Sequence, residues 1–131
     1  MEDAMHRDWG ELAKFYTQLA PRSSDLQAAL NGLSALCTAV SKSHLASGLF
    51  AHTSMHDLLI SQMPTAYPAP LGTQWLIIQP RPNGFLEVSL KREGLANREG
   101  DWSRTAPSQE MVRYFNKLLR QLGWNYHPIL E

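Results

Sequence analysis

The sequence predicts an α+β domain: two N-terminal helices, a small antiparallel sheet of three or four strands built on a 74–91 hairpin, and a C-terminal helix. Three observations carry this. Apolar residues recur at helical spacing in the first forty or so residues and again near the end. Between them, two β-rich runs flank Pro82-Asn83-Gly84. Helical and strand patterns are segregated, and the strands read as antiparallel, which makes an α+β domain with helices on one face of the sheet.

Residues 3–20, "DAMHRDWGELAKFYTQLA", place Met5, Trp9, Leu12, Tyr16 and Leu19 on one face. Acidic residues crowd the start, where the helix dipole favours them, and Pro21 ends the run. The second helix is read from "RSSDLQAALNGLSALCTAVSKSHL", with Ser24 as cap, Gln27 at capping-box spacing and an inner stripe of Leu26, Leu30, Leu33, Cys37 and Val40. The short link favours an antiparallel helix pair.

In the hairpin, Leu86, Val88 and Leu90 alternate with Glu87, Ser89 and Lys91, giving one buried and one wet face. The partner run, Trp75 to Ile78, is apolar on both faces and so belongs near the centre of the sheet or under a second cover. Asn-Gly supplies the left-handed conformations of a tight turn, while Pro80 and Pro82 are expected to loosen pairing near the tip. A short further strand is expected near 101–105. "APSQEMVRYFNKLLRQLGW" then reads as a helix, with Pro107 in its first turn, Glu110 at the positive end, and Lys117 and Arg120 at the negative end. Gly123 stands as its left-handed cap, and Val112, Phe115, Leu119 and Leu122 form its apolar stripe.

Residues 49–63, "LFAHTSMHDLLISQM", fit a buried strand better than a helix capped by Ser54. Their chemistry depends on that choice. On a helix His52 and His56 share a face and can reach one ion, but Thr53 stands where a zinc protease carries glutamate. On one continuous strand they lie about 13 Å apart, too far to share an ion with bonds of about 2.1 Å. Further ligands would have to come from His6, His44, His127, Cys37 or a carboxylate brought in by folding. Asp57 can orient His56 for proton transfer only in a turn or helix, and no G-x-S-x-G elbow surrounds Ser54. Cys37, among leucines, reads as a small core hydrophobe. No glycine-rich phosphate loop is present. Asp8 and Glu11 read as a solvated face. The proline-rich "MPTAYPAPLG" reads as a rigid connector or a recognition strip.

Composition bounds the function. The 131 residues suit one domain, 1–131, large enough to bury about two thirds of its unfolded surface. The chain is 44% apolar and 18% charged, low against a usual charged share of about 25%. Net charge is zero: residues 1–65 hold four basic and six acidic residues, residues 66–131 eight and six. With no dense cationic cluster, nucleic-acid binding is not expected. A single cysteine cannot form an internal disulfide. No run reaches the roughly 18 apolar residues of a membrane span, and the start resembles no secretory signal, so a cytoplasmic protein is expected.

The basic residues Lys91, Arg92, Arg98, Arg104, Arg113, Lys117 and Arg120 all lie in the strand–loop–helix region. Arg113, Lys117 and Arg120 share one helix face. With Trp102 and Trp124 as anchors, Arg104, Arg113 and Lys117 form a candidate partner-binding surface. Trp75 and Phe85 are further candidates for exposed apolar contact. The expected function is a non-enzymatic protein-interaction module, an adaptor, chaperone-like or neutralising partner that also self-associates. It needs no cofactor, and its partner is another protein or its own copy. The alternative is a small enzyme or ligand- or metal-binding domain using His52, His56 and Asp57.

Overall fold

The computed structural model describes residues 7–19, 23–62, 72–92 and 102–124. They form α1 (Trp9–Gln18), α2 (Ser24–Ser41), a 3-10 turn (His44–Ser47), and strands β1 (Phe50–Ser54), β2 (Asp57–Ser61), β3 (Gln74–Pro80), β4 (Phe85–Arg92) and β5 (Trp102–Pro107). A second 3-10 turn (Ser108–Glu110) leads into α3 (Met111–Leu122). The sheet is a fully antiparallel meander in the order β1-β2-β3-β4-β5. The α+β class stands, with five strands rather than three or four.

The extra strand comes from residues 49–63. They are strand, but not one strand: the chain reverses at Met55-His56, pairing Ser54 with Asp57, His52 with Leu59 and Phe50 with Ser61. Met55 adopts φ +57°, the left-handed conformation that a two-residue hairpin turn needs and non-glycine residues rarely take. No Gly or Asn marks this turn in the sequence, which is why it reads as continuous.

The α1 helix starts later than its apolar spacing predicts. Arg7 is in extended backbone, its amide donating to the Ala51 carbonyl at 2.7 Å, and the Asp8 carboxylate caps the helix by accepting from the Glu11 amide. In α2 the cap is Ser23 rather than Ser24: its hydroxyl accepts from the Leu26 amide, and Gln27 bonds Asn31 instead of closing a capping box. Pro107 ends β5, paired with Phe85, rather than opening the last helix. The C-terminus of α3 follows expectation. Gly123 has φ +72°, its amide donates to the Arg120 carbonyl, and the Trp124 amide reaches back to Leu119.

The β3–β4 turn is Pro82-Asn83-Gly84, closed by Arg81 and Phe85, with Gly84 at φ +89° and its amide donating to the Arg81 carbonyl. Pairing does not loosen there. The Arg81 amide donates to the Phe85 carbonyl, and Pro80 still pairs with Leu86. Pro80 sits at a position whose backbone points away from β4, so its missing N–H removes nothing from that ladder.

The register sorts the side chains. Ala51, Leu58, Ile60, Leu76, Ile78, Leu86, Val88 and Ala106 share the face that packs with Leu12, Tyr16, Leu30, Leu33, Phe115 and Leu119 of the helices. The opposite face carries Leu59 and Trp75, which are also buried, as expected for central strand β3. The proline-rich connector, the loop at 93–101 with Arg98, the start of the first helix with Met5 and His6, and the tail with His127 lie outside the described residues.

Candidate functional site

The structure separates the residues of the His52–His56–Asp57 motif. His52 is on β1, only 4% exposed, with its ring edge-on to Trp75 at 5.7 Å between centroids. His56 is exposed on the turn, and its carbonyl accepts from the Tyr16 hydroxyl at 3.0 Å. The Asp57 carboxylate accepts from Gln79 Nε2 at 2.9 Å rather than orienting an imidazole. The expected distance along one strand does not apply, because the hairpin turn intervenes. Among the described residues, no group of three or more His, Cys, Asp or Glu side chains is placed to hold a metal ion.

Cys37 is fully buried in the core. Burial pushes its thiol up to about 12 against an ordinary 9.0, which keeps it protonated. Burial, then the neighbouring Cys37 and Asp57, also raise the Tyr16 hydroxyl above its ordinary range. This neighbourhood is closed packing, not an exposed reactive centre.

The polar face of the sheet carries a continuous chain of side-chain bonds. Gln79 joins Asp57, Arg81 Nη2 reaches Gln79, and Arg81 pairs with Glu87 through Nε at 2.8 Å and through Nη2. Ser103 donates to Glu87 at 2.9 Å, and Ser89 donates to Ser103 at 3.2 Å. The Arg81 and Ser103 bonds hold the Glu87 carboxyl below its usual range.

The opposite situation holds for the predicted basic surface. Trp102 and Arg104 alternate on β5 and face the helix side, with the Arg104 guanidinium 4.6 Å from the Trp102 ring centroid. Arg113, Lys117 and Arg120 are exposed on α3, which follows β5 after one 3-10 turn and packs against it. Among the described residues, none of these four cations has a carboxylate partner. Trp124 does not join them at the surface. It is 7% exposed and its indole N–H donates to Gln74 at 3.2 Å, so it belongs to the core. Trp75, at 2% exposed, is likewise not available, while Phe85 is 41% exposed and Met55 90%.

Spacing alone does not reveal the state of the two sheet edges. On the β1 side, Arg7 occupies the outer position at Ala51. On the β5 side the register leaves an open ladder among the described residues. Because Phe85 bonds toward β3, Leu86, Val88 and Leu90 bond toward β5, so Ala106, Arg104 and Trp102 are engaged. The backbone groups of Ser103, Thr105 and Pro107 therefore point outward. Ser103, Arg104 and Thr105 are all exposed. No family model, curated protein or solved structure matches the chain.

Proposed function

We propose that the protein is a non-enzymatic interaction module that engages another polypeptide, its own copy or a foreign one, through the side formed by β5 and α3. The observation that carries this reading is the exposed outer edge of β5, which bears Arg104 and leads through one 3-10 turn into α3 with its exposed Arg113, Lys117 and Arg120; among the described residues none of the four has a carboxylate partner. An open edge offers main-chain hydrogen bonds to an added strand. Cations on β5 and α3 that have no carboxylate partner among the described residues offer steering and selectivity rather than internal stability. Trp102, half-buried beneath Arg104, adds apolar area at the same place.

The test compares the wild-type chain with an Arg104→Glu/Arg113→Glu/Lys117→Glu variant. All three positions are exposed, so the variant should retain its circular dichroism and melting behaviour. A stoichiometric protein partner captured from native lysate, or a self-associated species seen by light scattering, should be lost at least tenfold in the variant. Undiminished capture and association would refute the reading.

A further inference from the structure

We infer that β5 is a docking edge for an extended acidic segment of another protein, which adds antiparallel as a sixth strand; this rests on the interaction-module reading above. The geometry defines what such a segment meets. Ser103 and Thr105 each present an outward N–H and C=O, and Pro107 presents only a carbonyl. Two residues of an added strand can therefore exchange paired bonds with Ser103 and Thr105. The residue between them lies opposite Arg104, at a position where side chains approach most closely, about 4.5 Å between Cα atoms. It falls on the helix side of the sheet, because Arg104 pairs with Val88 and Val88 is a core residue. That is the side on which Arg104 covers Trp102 and α3 packs. A carboxylate there meets a guanidinium that has no carboxylate partner among the described residues.

The same register argues against a second copy as the occupant. A symmetric β5–β5 pairing in which Ser103 of each chain bonds Thr105 of the other is centred on Arg104. It sets Arg104 directly against its own copy, and like charges directly opposite are destabilising. Shifting the centre to Thr105 brings Ser103 opposite Pro107, which has no N–H to give. The edge is thus guarded against itself while remaining complementary to an acidic strand. Selectivity resides in the charge of the residue facing Arg104, and attachment resides in the Ser103 and Thr105 backbone.

The probe is a pair of octapeptides, alternating Val-Glu and alternating Val-Lys, titrated into the isotope-labelled full chain. The Val-Glu peptide is expected to bind at least tenfold tighter and to slow exchange of the Ser103 and Thr105 amides. Arg104→Glu should reverse the preference, and Thr105→Pro should abolish binding of both peptides while sparing the fold, since the register turns its N–H away from β4 and no described residue bonds it. Should Thr105→Pro fail to fold, Arg104→Glu alone decides. Equal binding of both peptides, binding without protection of the two amides, or tighter binding of a single-stranded oligonucleotide would overturn the inference. Protection of these amides by self-association without added peptide would also overturn it, while leaving the interaction-module reading intact. Loss of the broader reading is seen separately, in the failure of the triple charge reversal to affect capture.

Discussion

Cys37 reads in the sequence as a small core hydrophobe, and the fold buries it as one. Its neighbours at helical spacing are leucines, and the thiol is sealed among them with its pKa pushed up to about 12. The unfolded chain ionises near the ordinary 9.0, so the unfolded state releases this proton first as pH rises. Stability contributed by the buried neutral thiol is complete below pH 9.0 and declines as pH climbs toward the folded value. The slope it adds is at most about 1.4 kcal/mol per pH unit. Denaturant titrations between pH 8.5 and 10 should show this loss, and Cys37→Ala should flatten it despite an overall lower midpoint. Tyr16, also raised by burial, adds its own decline at higher pH, which is why the comparison stops at about 10. An unchanged slope in Cys37→Ala would mean that the thiol is not sealed. Met55 is the reverse case. Nothing in its residue type announces a positive φ, and only the paired register of β1 and β2 imposes one.

At the level of elements, what could be read from the sequence followed the distance over which each signal acts. The β3–β4 hairpin was legible because Asn83-Gly84 is a local turn signal between two β-rich runs, and the α3 terminus because Gly123 is a local cap. The β1–β2 hairpin was not, because its turn lacks those residues and is held by pairing and by Tyr16 bonding the His56 carbonyl from α1. The start of α1 was misplaced for the same reason: Arg7 is drawn into a bridge with Ala51, a contact that spacing cannot reveal. The basic surface was legible as a list of residues, but the burial of Trp124 and the open state of the β5 edge depend on which strands neighbour which. A comparable long-range constraint sits inside α2. Gly32 faces the turn before α3, where an added Cβ would come within 2.8 Å of the Ser108 carbonyl oxygen and 2.9 Å of its Cβ. A mid-helix glycine replaced by alanine ordinarily gains about 1 kcal/mol from backbone entropy and propensity. Here the clash is with backbone, and overpacking costs about 1–3 kcal/mol. Gly32→Ala should therefore lower the unfolding free energy in urea; a rise in the midpoint would show that α2 and α3 can separate without cost.

The molecule as a whole has zero formal charge and a sequence pI near 7.0, so at neutral pH no net repulsion keeps copies apart. A five-stranded open meander has two edges, and an uncharged protein must protect them by local means. Arg7 occupies the β1 side; on the β5 side the protection falls to Arg104 and to Pro107, which donates nothing. The same arginine that selects an acidic strand is thus the residue that rejects a second β5. Removing its charge should expose the conflict. Arg104→Val is expected to self-associate in a concentration-dependent way at pH 7, measured by sedimentation or light scattering. Adding Thr105→Pro to Arg104→Val should restore the wild-type association state, because the outward N–H needed for a symmetric ladder is gone. If Arg104→Val associates no more than the wild type, or if Thr105→Pro fails to reverse the association, then β5 is not the edge through which copies meet and its charge is not a guard.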